Sequence, residues 1–229
     1  MIPCISIDGV DGSGKTTLIN NLKSYYNVVT LPRFYVFGNA PSSHEERKKW
    51  FRNVDAIQTT PIYISGYFLR FMAAEEYKKG FHFKFLDDSL PKLVLIDRGL
   101  ISLKAFSYAS LKKNSDLSNE QIYAFLDKYI DNIYMKKIKK IIDYSVLLFD
   151  DSTASLESII SRREYEPEDE LLIRYQYEYY LRNVDDMRRM RNVSIVSPFE
   201  SQYEIIKKTM KTIEEIRNVL WLWPFNNWK

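Results

Sequence analysis

The sequence predicts an α/β protein, a five-stranded parallel sheet flanked by helices in three layers, and three observations carry that prediction. Residues 9–16 read Gly9-Val10-Asp11-Gly12-Ser13-Gly14-Lys15-Thr16, a complete G-x-x-x-x-G-K-[ST] phosphate loop between an apolar run and a helical segment. Leu93-Val94-Leu95-Ile96 and Ser145-Val146-Leu147-Leu148-Phe149 have no sustained polar face, as strands covered on both sides require. Strand-like and helix-like segments also alternate along the chain, the pattern of parallel strands joined by crossover helices. Joined to the loop motif, this is the P-loop NTPase architecture.

Each element has its own local signal. Ile2–Ile7 reads as the first strand and Lys15–Tyr25 as the helix after the loop. The β-branched run Asn27-Val28-Val29-Thr30-Leu31, stopped by Pro32, predicts the second strand. A polar stretch with Gly38 and Pro41 leads to a charged helical segment over Glu45–Val54, and an aromatic-rich helix follows over Ile62–Tyr77. Leu93–Ile96 is the third strand, and Asn119–Ile142 reads as one long helical region. Ser145–Phe149 is the fourth strand, Ser155–Arg163 a helix, and Glu164–Asp169 a charged loop containing Pro167. Glu170–Arg191 is helical, Val193–Val196 the last strand and Gln202–Val219 the last helix.

At 229 residues the chain can bury a substantial core, and it reads as one domain over 1–229. Charged residues make up 28% and the formal net charge is only +3, too weak a balance to argue for a nucleic-acid surface. The single cysteine, Cys4, excludes an internal disulfide and reads as a small core residue in a reducing compartment. No leader pattern and no transmembrane-length apolar run is visible, so a soluble cytoplasmic protein without membrane contact is expected.

The loop implies a nucleoside triphosphate as ligand. Its glycines Gly9, Gly12 and Gly14 let the backbone curl, and the amides of Ser13, Gly14, Thr16 and Thr17 can face phosphate at the helix start. Lys15 would reach the β- and γ-phosphates and the Thr16 hydroxyl would hold Mg²⁺, so ATP and Mg²⁺ are the expected cofactors. In an open parallel sheet, ligands collect beyond the carboxyl ends of the strands. The third strand ends in Asp97-Arg98-Gly99, offering a carboxylate for Mg²⁺ or its waters and a guanidinium for phosphate. Arg162-Arg163, ahead of the acidic loop, could close over transferring phosphates, making 162–170 a lid-like segment; a solvated charged loop is the competing reading.

Taken together, these residues resemble the thymidylate kinases and their relatives, the deoxynucleoside kinases, from the first strand to the last helix. The loop with its acidic Asp11 looks like the family's loop, where that carboxylate sits near the substrate sugar. Asp97-Arg98, then Ser102 and Ala105-Phe106, resembles the family's Asp-Arg-Tyr stretch with Ser and Ala-Tyr at the same spacing. Arg70 is similar to the arginine that contacts the acceptor nucleotide, and Pro32-Arg33-Phe34 loosely resembles an Arg-Phe-Pro form. Phe149-Asp150 and the helix to Arg162-Arg163 look like the run into the family's lid. The resemblance implies an ATP-dependent nucleotide kinase, with Asp11, Arg33, Arg70, Arg98, Ser102 and Phe106 toward the acceptor. The sequence departs at Gly99, where an aromatic or polar side chain follows Asp-Arg in the family. It departs again at Gly66, where the family has a base-stacking Phe, and it lacks the bacterial Arg-Glu-Pro-Gly stretch.

Acceptor chemistry separates the two branches. A hydroxyl acceptor benefits from a carboxylate base at the end of the second strand, whereas a monophosphate acceptor needs cations. Here the strand ends Leu31-Pro32-Arg33, and Arg33, Arg70 and Arg98 supply positive charge. A nucleoside monophosphate, dTMP first, is therefore the expected acceptor; a deoxynucleoside kinase and a non-catalytic nucleotide-binding protein are the rival readings. Trp50 without a preceding Glu reads as core. Tyr175, Tyr177, Tyr179 and Tyr180 cannot share one helix face and read as packing with some exposure. The Lys136–Lys140 run reads as a solvated face, and His44 and His82 have no metal-site spacing. The Trp-rich tail 220–229 is expected to pack on its own domain or on a second copy, and a homodimer fits the resembled family.

Overall fold

The computed structural model describes residues 2–31, 56–79, 91–132, 141–162 and 167–226. Among these, the strands are β1 (Cys4–Gly9), β2 (Asn27–Leu31), β3 (Lys92–Asp97), β4 (Tyr144–Leu148) and β5 (Val193–Val196). The helices are α1 (Lys15–Leu22), α2 (Ala56–Lys78), α3 (Leu100–Asn114), α4 (Asn119–Leu126), α5 (Thr153–Ser161), α6 (Pro167–Arg189) and α7 (Gln202–Asn226). All strand pairs are parallel, in the order β2-β3-β1-β4-β5. The chain leaves β1 past β3 to reach β2, then leaves β3 past β1 to reach β4. The connections therefore diverge between β1 and β3, which makes the crevice at their carboxyl ends the switch point where ligands bind in such sheets.

The sheet separates two apolar cores through its period-two alternation. On one face, Ile5 and Ile7 of β1, Leu93 and Leu95 of β3, and Val146 and Leu148 of β4 pack against α1 and α7. On the other, Cys4, Val94, Ile96 and Leu147 meet α2, α3, α4 and α6. Each buried Ile or Leu contributes about 1.5–3 kcal/mol relative to exposure. The second face is interrupted in β1, where the residues alternating with Ile5 and Ile7 are Ser6 and Asp8, both wholly buried. Near the opposite ends of the strands, Asp143 accepts from the Cys4 amide at 2.7 Å and pairs with Lys78 of α2 at 2.8 Å. Cys4 is buried in the core, and that burial pushes its thiol well above its ordinary range.

Several elements differ from the sequence reading for identifiable reasons. Helix α3 has no counterpart there, because its buried positions mix Ser102, Ser107, Ala105 and Ala109 with Leu103, Tyr108 and Leu111 and form no clean apolar stripe. Tertiary packing makes it a helix: it lies against α6 and α2 in the middle of the second face. Pro167 starts α6 instead of lying in a loop, since a first-turn proline loses no helical hydrogen bond and Glu168, Asp169 and Glu170 suit the positive helix end. The long helix expected over Asn119–Ile142 is α4, capped by a Ser118–Gln121 box, followed by a π-turn over Asp127–Asp131. The last helix runs on through Asn226, so the backbone of 220–226 continues α7. The helix expected over Glu45–Val54, Trp50, both histidines and the Lys136–Lys140 run lie outside the described residues. Three of the four clustered tyrosines, Tyr177, Tyr179 and Tyr180, are core residues of α6.

Candidate active site

The phosphate loop follows β1 at the switch point. Gly9 (φ +140°), Gly12 (φ +86°) and Gly14 (φ +91°) adopt the left-handed conformations that glycine tolerates. At Gly9 the requirement is also steric, since a Cβ there would stand 2.6 Å from the Leu148 carbonyl oxygen. Gly14 precedes α1 and its carbonyl accepts from the Leu18 amide at 3.0 Å, so the helix starts immediately after the loop. Lys15 is buried, with Nζ donating to the Gly9 and Val10 carbonyls at 2.9 and 2.6 Å. Thr16 and Thr17 are exposed at the amino end of α1.

Opposite the loop, β3 delivers Asp97 and Arg98. Asp97 lies across from Ile7 in the sheet and continues the Leu93–Leu95 face that α1 covers, the same side as Thr16. Arg98 then adopts φ +66°, an uncommon conformation for a non-glycine residue. Three hydrogen bonds hold this turn. The Arg98 amide donates to Ile7 O at 2.9 Å, Arg70 Nη1 donates to Arg98 O at 3.4 Å, and the Gly99 amide donates to Asp8 Oδ1 at 2.9 Å. The turned backbone sends the Arg98 guanidinium to an ion pair with Asp11 of the phosphate loop. Arg70, with no exposed surface, also donates from Nη2 to the carbonyls of Leu31 (3.3 Å) and Asp97 (2.6 Å), and its guanidinium lies over the Tyr67 ring. It thereby ties the ends of β2 and β3 together.

Beneath the loop lies a polar cluster that the sequence reading does not single out. Asp8 Oδ1 accepts from the amides of Gly99 (2.9 Å) and Ser102 (2.8 Å), and Oδ2 accepts from Ser6 Oγ at 2.6 Å. Ser6 Oγ is 2.8 Å from Ser145 Oγ of β4. Burial raises the Asp8 carboxyl above its ordinary range, and hydrogen bonds from Ser6, Ser102 and Gly99 oppose that rise. Ser102 Oγ accepts from the Gly9 amide at 3.3 Å and from Tyr180 Oη at 3.4 Å. The signal for the cluster was the Ile5-Ser6-Ile7-Asp8 alternation, because a central strand with two covered faces has no solvent side for polar residues.

The remaining predicted residues distribute unevenly. Phe106, one turn beyond Ser102, packs on Tyr63 with ring centroids 4.7 Å apart, and Tyr63 packs on Tyr67, so an aromatic group stands beside Arg70 where Gly66 offers no side chain. Arg162 closes α5 and stacks over the Phe199 ring at 5.0 Å, beyond β5. Arg33 and Arg163 lie outside the described residues, as do positions 164–166 of the lid-like segment. After β4, Asp150 accepts from Ser152 Oγ and Ser155 Oγ (each 2.7 Å) through Oδ1 and from Ser197 Oγ (2.9 Å) through Oδ2.

Hydrogen bonds from Ser155, then Ser152, hold the Asp150 carboxyl down to about 2 from its ordinary 3.8. A depressed carboxyl stabilises the fold above the unfolded value and stops doing so as pH falls through the folded one. The melting-temperature gap between wild type and Asp150→Asn is therefore expected to hold from pH 7 to about pH 5, narrow below about pH 4 and close near pH 2. A gap unchanged down to pH 2 would rule out this role for the ionised carboxylate.

The model of the KAP family P-loop domain matches residues 2–218, nearly the whole chain. The chain belongs to the KAP family of P-loop domains. No curated protein matches it. Among solved structures, this KAP-family domain is similar to the thymidylate kinase from Candida albicans, at a TM-score of 0.59 and 16% identity over 95% of this chain and 93% of that one. It is also similar to the deoxyadenosine kinase from M. mycoides with bound dATP, at a TM-score of 0.55 and 14% identity over 92% and 98% of the two chains. The thymidylate kinase from Ehrlichia chaffeensis gives 0.51 and 17% over 93% and 98%. At these identities the likeness shows a common fold.

The residues present suit a magnesium–nucleotide complex. No group of three or more His, Cys, Asp or Glu side chains positioned to hold a metal gathers among the described residues. Thr16 and Asp97 supply hard oxygen donors on the α1 side of the switch point. That is the donor set expected where Mg²⁺ is held by one or two protein oxygens together with substrate phosphates. Among the described residues, no helix is long and apolar enough to cross a membrane.

Proposed function

We propose that this KAP-family domain is a phosphotransferase that moves the γ-phosphoryl group of MgATP to a deoxynucleoside monophosphate, with dTMP as the acceptor, giving dTDP and ADP. The observation that carries this reading is the Arg98 turn, a strained backbone that sets a guanidinium against the mouth of the phosphate loop. With Arg70 behind it and no carboxylate at the end of β2, the acceptor side has the cationic character that an already ionised acceptor calls for. The fold shared with thymidylate kinases supports the same reading.

In this reading Lys15 and the loop amides hold the donor phosphates and compensate the charge that builds on them during transfer. Thr16 and Asp97 would hold Mg²⁺, which would supply neutralising charge to the phosphates. Arg98 orients the acceptor phosphate and Arg70 keeps the backbone around it in place, with Arg33 as a further cation. Asp11 faces the sugar once Arg98 turns to phosphate, Phe106 lines the acceptor side, buried Ser102 supports that side from beneath the loop, and Arg162 with Arg163 closes over the reacting groups. The domain acts as a single unit over 1–229, in the cytoplasm, on small molecules, and a homodimer fits the resembled family.

The test is ADP release from MgATP with dTMP, other deoxynucleoside monophosphates or thymidine as separate acceptors, using Lys15→Ala as the blank. Turnover with dTMP but not thymidine supports the reading, and turnover with thymidine alone moves the domain to the nucleoside kinases. Membership of the KAP family favours a second reading, a nucleoside triphosphatase that needs no small acceptor. ADP release that is independent of every acceptor would select it.

A further inference from the structure

We infer that Asp8 is a positioning residue that locks the phosphate loop to the Arg98 turn. The inference rests on the nucleotide-site reading above and deepens it. Helix α3 begins at the turn, and its N-cap is Gly99, which has no side chain to satisfy the free amides of the first turn. Asp8 does so from a neighbouring strand. Its Oδ1 accepts from the N-cap amide of Gly99 and from the Ser102 amide three residues on, the two groups a capping side chain would serve. The carboxylate is wholly buried, so these bonds form without competing water, and its charge suits the positive end of a 15-residue helix.

The same contacts reach the loop. Ser102 Oγ receives the amide of Gly9, the first loop residue, while the Ser102 amide is held on Asp8. Asp8 itself directly precedes Gly9 in the chain. One side chain thus sets the distance between the backbone that cradles phosphate and the backbone that aims Arg98. Gly99 completes the arrangement, because a Cβ there would meet Ser6 and Asp8 at 2.3 and 3.1 Å and keep the turn from approaching. Asp8 touches neither donor nor acceptor and acts through Gly99, Ser102 and Gly9.

Hydrogen-bond acceptance and charge at position 8 can be separated by substitution. An asparagine at position 8 can offer Oδ1 to both amides, while its NH₂ group donates to Ser6 Oγ and Ser6 turns its proton to Ser145. Alanine can do none of this. Ser102→Ala removes the link to the loop together with the long contact from Tyr180 Oη, and leaves the Ser102 amide on Asp8. The experiment is amide exchange by NMR on the full chain, with MgATP affinity and, where turnover is found, kcat and KM for the acceptor.

Asp8→Asn is expected to keep exchange at Gly9, Gly99 and Ser102 within about threefold of wild type. Asp8→Ala should speed all three by about tenfold or more, and Ser102→Ala should speed Gly9 alone. In Ser102→Ala, MgATP affinity should hold within about threefold while acceptor-dependent kcat falls about tenfold, a split that general loss of stability would not produce. Unchanged Gly9 exchange in Ser102→Ala, or Asp8→Asn as damaging as Asp8→Ala, overturns the inference. Should Asp8→Ala fail to fold, Asp8→Asn and Ser102→Ala decide it. A wild type that consumes no acceptor overturns the phosphotransferase reading alone, because exchange at Gly9 still decides the role of Asp8.

Discussion

Lys15→Ala is expected to lower MgATP-dependent ADP release by about 10²–10³-fold, the loss typical of removing one preorganised donor from a developing anion. Lys15 is the one loop side chain that carries a positive charge, and the fold has already desolvated it: Nζ sits at the loop mouth against the Gly9 and Val10 carbonyls. Charge delivered by a buried, held group needs little reorganisation when phosphate charge shifts in the transition state, which is why its removal should appear in kcat as well as in affinity. The substitution also leaves two loop carbonyls short of a donor, at about 1–3 kcal/mol if they are not rehydrated. Melting temperature must therefore be measured alongside the rate. Lys15→Arg sharpens the test, because a planar guanidinium keeps the charge but cannot follow the path of a compact ammonium. It should bind MgATP measurably and still turn over poorly. Lys15→Ala retaining more than about a tenth of wild-type turnover would remove Lys15 from the chemistry.

Gly99→Ala is expected to be strongly disruptive for the addition of a single methyl group. A Cβ at this position would lie 2.3 Å from Ser6 Cβ and 2.5 Å from Ser6 Oγ. Ser6 belongs to the central strand, so its Cβ cannot swing away, and the turn must move instead. That motion would lengthen the Gly99–Asp8 and Arg98–Ile7 hydrogen bonds, both 2.9 Å, and release the strained Arg98 backbone. Overpacking of this kind costs about 1–3 kcal/mol, and the loss of a capped helix start adds about 1 kcal/mol. Chemical denaturation should report a loss of that size or complete unfolding. Adding Ser6→Gly removes the colliding atoms and should recover part of the loss, giving a favourable coupling in a double-mutant cycle. Additive effects of the two substitutions would mean that the contact with Ser6 is not what requires glycine.

Gly99 also shows how far a sequence can be read. Against the resembled kinases, the absence of a side chain after Asp-Arg looks like a missing acceptor contact. In the structure it is a close approach: the backbone of the turn rests against Ser6 and Asp8, and nothing larger than hydrogen fits. A pattern of residue types cannot distinguish these cases, because the partner atoms come from a strand more than 90 positions earlier. Helix α3 escaped for a related reason. Its faces are buried against different neighbours, so it lacks the one-sided stripe that periodicity detects. Arg70 was legible as a cation before β3, but not as one held by three backbone carbonyls at the ends of β2 and β3.

What the sequence determined by itself is local and covalent in character. The phosphate loop, the strand before it, the helix after it and the doubly covered strands follow from residue spacing and backbone preference, and each appears where those preferences place it. The order of strands in the sheet, the left-handed turn at Arg98, its pairing with Asp11 and the buried Asp8 cluster were decided only in three dimensions. They depend on contacts between segments distant in sequence, whose worth comes from excluding water around groups that no local pattern brings together.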